Sequence, residues 1–348
     1  MCKYLILFTF FLFSFSPAMA TKFLAIWGAA LNVEHPLMMQ VMDSPTMQRL
    51  KGIDQSGPDV YLGDFPKFSR FDHSVGVGVL LQKIDAPLKE QIVGLLHDAS
   101  HLAFSHVADV LYHMDNQEHS YQDKIHLHYL SQTEIPGILN EFCGLEDLDP
   151  DLPEYKGLEQ SLPDMCADRI QYNIHTGVIT NRITPLQAKD IVDDLRFENE
   201  KWYFENAGTA HLFATLPLYF TRNLWGSARN HAIYHYFSAA LGQALDIGII
   251  DEKSLHFGQD QEIMDILEDS QDVTISQMIE KCRNIEENFE VTDSEYDLYM
   301  TPKFRGIDPL VKADQELIRL TQMNPDFKRE YDEIKKWCIE GYGIKFFN

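Results

Sequence analysis

The sequence predicts a mainly helical chain, all-α apart from a small β-hairpin and a mixed C-terminal lobe. Apolar residues recur at spacings of three and four rather than two, helix-start signals precede those runs, and 348 residues that are 45% hydrophobic can bury a substantial core. One helix follows Pro87: Leu88, Ile92, Val93, Leu95 and Leu96 make an apolar stripe, closed by His97-Asp98. Another should start near Ser161, three residues before Asp164 with Pro163 between them, as in a capping box. That helix carries Asp168 and Tyr172 four residues apart, and therefore on one side. Residues 195–204 alternate around Glu198-Asn199-Glu200 and predict a hairpin, after which 209–247 read as helix again. The last hundred residues combine short helices at 262–267 and 275–282 with strands near 289–291 and 299–304. No internal repeat or linker is visible. The expected partition is a leader at 1–20, a main body at 21–250 and a C-terminal lobe at 251–348 packed on it.

The leader has a Lys3 head, an apolar run over 4–15 and a small-residue ending, Ala18-Met19-Ala20, the pattern of a secretory signal peptide. Its run is shorter than the roughly 20 residues of a spanning helix, so export with no membrane span in the mature chain is expected. Beyond it, Cys143, Cys166, Cys282 and Cys338 show no C-x-x-C pair, and fit disulfides or buried free thiols equally. A formal charge of −24 repels a nucleic-acid backbone. It does not exclude a small polyphosphate, because a local cluster of cations dominates within a screening length of about 8 Å.

The chemistry-bearing residues are concentrated. His73 stands in Arg70-Phe-Asp-His73, His97 adjoins Asp98, further histidines lie at 101, 106 and 119, and Asp168 opens Asp168-Arg-Ile-Gln-Tyr172. Imidazoles and carboxylates gathered this way suit a divalent cation that polarises phosphoryl oxygens. Any one of them alone reads as a satisfied core histidine or a capping acid. Between 97 and 109, however, three histidines and two acids crowd a stretch whose other positions are mostly apolar or small, which an ordinary core helix does not need. His126 and His128 read as packing or surface groups, and the aromatic residues over 202–225 as core.

With these residues in view the chain resembles the HD-domain phosphohydrolase superfamily, and within it the deoxynucleoside triphosphate triphosphohydrolase branch, of the sterile alpha motif and HD domain type. The likeness runs from His35-Pro-Leu through the segment from Asp43 to Gln55, Arg70-Phe-Asp-His73 and the His97 block. It resumes at Asp168-Arg-Ile-Gln-Tyr172, Thr221-Arg-Asn and Phe304-Arg-Gly-Ile-Asp-Pro309. The resemblance implies an HD-type helical bundle and a metal-dependent phosphohydrolase acting on a nucleotide or related small phosphate compound. It implies His73, His97, Asp98 and Asp168 as ligands of a divalent metal, with Fe, Mn, Zn, Ni and Mg all compatible. His101, His106 and His119 would surround the scissile phosphate, with Asp109 charging an imidazole. Arg70, Arg169 and Tyr172 would hold phosphate oxygens, Gln55 would approach the sugar, and a homo-oligomer is expected. Arg222 and Arg229 each remain candidates for a phosphate contact, because the spacing there differs from the branch. The chain also departs at Thr176, where the branch has a sugar-gripping acid, at Ser120 for Glu, at Lys51 for Arg, and at Gly28, all that is left of an Asp-x-x-His-Gly segment. These departures keep two alternatives in play: an exported nucleotidase or phosphodiesterase, and a metal-binding ligand sensor without turnover.

Overall fold

Ser69 opens the helix that carries His73. Its hydroxyl accepts the Asp72 N–H at 3.1 Å, and the Arg70–Lys83 helix continues with nearly every side chain buried. This computed structural model describes residues 22–27, 29–63, 65–113 and 120–347; the expected leader at 1–20, Gly28 and His119 lie outside the described residues. Pro87 precedes the Leu88–Leu96 helix, whose Ile92, Val93, Leu95 and Leu96 are buried, and the helix packs against Arg70–Lys83. His97 is its C-cap, at the helix end that the apolar stripe predicts.

The third site helix is Ala167–Ile179, and it begins later than the sequence suggests. No capping box forms at Ser161. Ser161 and Asp164 close a turn, and the Asp164 carboxylate turns to Lys201 at 2.5 Å and to Arg319. Two cations from distant segments outcompete a local backbone N–H for that carboxylate. The aromatic-rich stretch gives Ala207–Phe220 and Ala228–Asp246, joined by a π-helical turn at Thr221–Trp225. Trp202, Phe204, Phe213 and Phe220 are core residues, as expected.

The described residues are mainly helical, in line with the expected bundle, but not strictly all-α: they also form three small sheets. Lys22–Ile26 pairs antiparallel with Ala29–Val33. The predicted hairpin forms from Leu195–Glu198 and Lys201–Phe204, and Asn199 and Glu200 both take the positive φ of a two-residue turn. Leu310–Ala313 then adds parallel to Lys201–Phe204, with Glu316–Arg319 beyond it. The third sheet has Tyr342–Phe346 between Phe289–Thr292 and Leu298–Met300. The strand expected over 299–304 stops at Met300, because Pro302 is buried against Gly226 and leaves the ladder. One apolar cluster runs from Leu31 to Cys338. The four cysteines of the described residues are free thiols, three of them buried. No helix among the described residues is long and apolar enough to cross a membrane.

Buried histidines tie this core to pH. His126 lies between the Ser100 hydroxyl at 2.9 Å and the Leu148 carbonyl at 3.2 Å, a packing group as its pattern suggests, while His128 is exposed. His175 stacks flat on Phe68, with ring centroids 3.6 Å apart, and His231 is half-buried. Burial holds all three at about 4, against an ordinary value of 6.5. Their neutral forms favour the fold, so this stability is complete above about 6.5 and disappears as pH falls toward about 4. Asp54 and Asp260, raised by burial to about 6 and about 7, act in the opposite sense, so the histidine share is read by difference. In denaturant melts His126→Gln should lose less stability than wild type between pH 6.5 and 4; parallel curves would contradict this.

Candidate metal centre

Three helix ends meet at one point. His73 comes from the first turn of Arg70–Lys83, His97 and Asp98 from the end of Leu88–Leu96, and Asp168 from the first turn of Ala167–Ile179. His73 Nε2 lies 3.1 Å from His97 Nε2 and 2.9 Å from Asp168 Oδ1, and His97 Nε2 is 3.6 Å from the same oxygen. Ligand atoms of these three residues all fall within 4.8 Å of one another. Asp98 stands alongside, 3.6 Å from each imidazole Nε2. The four residues expected to bind metal are therefore together.

Their hydrogen bonds explain what this cluster attracts. His97 Nδ1 donates to the Gly94 carbonyl at 2.8 Å, and a carbonyl can only accept. His73 Nδ1 faces the amide oxygen of Gln171 in the same way. Each ring therefore carries its proton on Nδ1 and turns a lone pair on Nε2 toward the other ring, beside two carboxylates. Opposed lone pairs need a cation between them. Burial opposes charge on His97, yet Asp98 and Asp168 outweigh it and hold that imidazole up to about 9. Burial likewise works against the Asp168 carboxylate, but hydrogen bonds and charges from His73 and His97 keep its pKa far below the usual carboxylate range. A divalent ion meets the same demand for positive charge, and a histidine and carboxylate donor set fits one.

Arg70 lies on the far side of Asp98. Its Nη1 meets Asp98 Oδ2 at 2.5 Å and its Nε meets the Ser105 hydroxyl at 2.8 Å, while Nη2 is buried with no partner among the described residues. His101 approaches Asp98 Oδ1 at 3.3 Å; burial and the charge of Arg70 depress it to about 3, so it is neutral. The His106 ring stands edge-on to His101 with centroids 5.1 Å apart. Its Nδ1 donates to Asp109 at 3.1 Å, and Asp109 also accepts the Tyr121 N–H at 2.7 Å. The Tyr172 ring lies 6.5 Å from that of His73. Gln55 donates its backbone N–H to the Phe68 carbonyl at 2.8 Å, and its side-chain oxygen is buried without a partner among the described residues. Arg169 turns elsewhere, to Glu159 at 3.6 Å and to the carbonyls of Gln160 and Asp164. Arg222 pairs with Glu333, and Arg229 with Asp59 and Glu286.

Several residues around the site escaped the sequence reading. Gln171 orients His73, and its place three residues after Asp168 was the available signal. Arg49 donates to the carbonyls of Ala99, His101 and Gly258, and Asp260 accepts the N–H groups of Asp54 at 2.8 Å and Phe104 at 2.7 Å. Arg305 lies nearby, its guanidinium 5.9 Å from the centroid of the Trp225 ring that stands edge-on to Tyr172. Nothing local in the sequence marks Asp260 or Lys303, and Arg305 stands in the Phe304-Arg-Gly-Ile-Asp-Pro309 segment, to which the resemblance assigns no role.

Gly76, one turn beyond His73, leaves room for Gln171: a Cβ there would stand 2.5 Å from Gln171 Nε2. Gly76→Ala should displace that amide and weaken metal affinity by about 10- to 100-fold, as loss of a group that orients a metal-binding histidine does. Calorimetric metal titration, with circular dichroism to verify the fold, would show it; unchanged affinity would remove Gln171 from this role.

No family model matches the chain. It is 30% identical over 312 residues to the uncharacterized protein YdhJ of Bacillus subtilis, covering 89% of this chain and 94% of that protein. Over 296 residues it is 28% identical to the metal-dependent phosphohydrolase cns2 of Cordyceps militaris, covering 82% of each. A 90-residue stretch, 22% of this chain and 15% of the relative, is 38% identical to the deoxynucleoside triphosphate triphosphohydrolase SAMHD1 of Bos taurus. Among solved structures, a phosphohydrolase from Bacteroides thetaiotaomicron shares the fold at a TM-score of 0.66 and 15% identity, over 88% of this chain and 95% of that one. Opposed imidazoles, adjoining carboxylates and these relatives agree: the chain belongs to the HD-domain phosphohydrolase superfamily and is a metal-dependent phosphohydrolase.

Proposed function

We propose that this site hydrolyses a phosphate ester of a nucleotide or related small phosphate compound, with His73, His97, Asp98 and Asp168 holding the metal. The observation that carries the reading is the 3.1 Å approach of the His73 and His97 Nε2 atoms, with the Asp98 and Asp168 carboxylates beside them. When bound, the metal supplies Lewis acidity at a phosphoryl oxygen. The free Nη2 of Arg70 and the Tyr172 hydroxyl receive the other phosphate oxygens. Neutral His101 accepts a hydrogen bond from the attacking water and orients it toward phosphorus. His106, paired with Asp109, donates a proton to the departing oxygen. The nucleotide class rests on likeness to the SAMHD1 segment. Thr176, buried where that branch carries a sugar-gripping acid, removes one support for a deoxynucleotide as the substrate. Export through the leader is part of the proposal and fits a scavenging role.

A phosphate-release screen of the mature protein against nucleotides, with metals varied, tests this directly. His97→Ala should lower kcat/KM by about 10³-fold, the several kcal/mol a Lewis acid contributes. Asp109→Asn should lower kcat by about 10²-fold, at the lower end of general-acid effects, and shift the pH profile. Turnover that survives both His97→Ala and Asp98→Ala would reject the mechanism. Metal binding without turnover on the whole panel would favour the sensor.

A further inference from the structure

We propose that Lys303 and Arg305 form a second anion subsite beside the metal centre, which takes the phosphate groups beyond the one being cleaved; the inference rests on the phosphohydrolase reading of that centre. A chain of aromatic contacts links the two. The Tyr172 ring lies 6.5 Å from His73, Trp225 stands edge-on to Tyr172 at 5.4 Å, and the Arg305 guanidinium lies 5.9 Å from the Trp225 ring centroid. Burial and the charges of Asp59 and Asp109 push the Tyr234 phenol up, and those of Arg70 and Arg305 oppose them. Lys303 stands two residues before Arg305 on the exposed side of the segment, and the charges of Arg305, Asp123, Arg169 and Asp109 all act on it. An anion extending from the metal past Tyr172 would therefore meet Arg70 at one end and Lys303 and Arg305 at the other.

The two cations are unusually uncommitted. The chain has 53 acidic and 29 basic residues, yet among the described residues no carboxylate lies within ion-pair distance of Lys303 or Arg305, and neither makes a hydrogen bond. Their backbone, in contrast, is fixed. Pro302 is buried against Gly226, where a Cβ would stand 2.9 Å from the proline ring, and the Phe304 ring lies over Gly306 and edge-on to Tyr331 at 5.0 Å. Asp308 accepts the N–H of Thr321 at 3.0 Å and its hydroxyl at 2.6 Å, which pins the segment on the other side. A guanidinium held this way offers paired donors to phosphate with little ordering cost on binding. Its field acts within about 8 Å despite the acidic chain.

The test is equilibrium dialysis of the full chain with micromolar orthophosphate, pyrophosphate and tripolyphosphate, at a fixed excess of free Mn²⁺. Wild type should bind tripolyphosphate at least about 10-fold more tightly than orthophosphate, as one or two added charge-assisted hydrogen bonds provide. Arg305→Gln and Lys303→Gln should each remove most of that gain while leaving orthophosphate affinity unchanged, and Arg305→Lys should recover part of it. Equal affinity for the three anions in wild type, or variants that weaken all three alike or none, would overturn the subsite. The underlying reading fails separately: orthophosphate binding that persists in His97→Ala would count against the metal centre, not against the difference between anions.

Discussion

Two imidazole nitrogens face one another with their lone pairs, in a place that water barely reaches, and the surrounding structure is organised around that arrangement. His73 and His97 cannot sit at 3.1 Å with both protons turned away unless positive charge lies between them. In its absence His97 takes up a proton, which is why its pKa rises to about 9 although burial works against it. Metal and proton are thus alternatives at one position, and metal uptake must expel the proton. The partners on the outer sides of the rings matter for the same reason. Gly94 and Gln171 fix which nitrogen is bare, and Arg70 keeps Asp98 ionised beside it.

The loop after Asp98 is buried without regular secondary structure, so its backbone groups need partners from elsewhere. Arg49 supplies donors to Ala99 and His101, and Asp260 accepts from Phe104. Phe104 and Ser105 both have positive φ, a conformation that costs on the order of 1–3 kcal/mol per residue outside glycine. Ser105 is held there because its hydroxyl donates to the Asp54 carbonyl and accepts from Arg70. The cost is offset by a network that fixes Arg70, and through it Asp98. Burial raises Asp54 to about 6 and Asp260 to about 7, a measure of how dry this network is.

What could be read from sequence was what local spacing determines. The Leu88–Leu96 stripe, the crowding of histidines after it, the Asp168 and Tyr172 pair and the turn at Asn199-Glu200 are settled within a dozen residues, and all were visible. What tertiary contacts decide was not. Asp164 looked like the far half of a helix cap and instead serves Lys201 and Arg319; Arg169 looked like a phosphate ligand and turns to Glu159. The hairpin and the short strands near 289 and 299 were visible as well, but Lys22–Ile26, Leu310–Ala313 and Tyr342–Phe346 were not, and Leu310–Ala313 finds its partner more than a hundred positions away. Arg305 belonged to a recognisable segment, but its place beside Trp225 depends on a contact across 80 positions.

Asp260 closes a contact with Phe104 across 156 positions of chain. A ribosome must have delivered residue 260 before the turn at 104–105 has its acceptor, long after the cluster-forming side chains up to Asp168 have emerged. The support that steadies Arg70, and through it Asp98, is therefore among the last parts of the site to be supplied during synthesis.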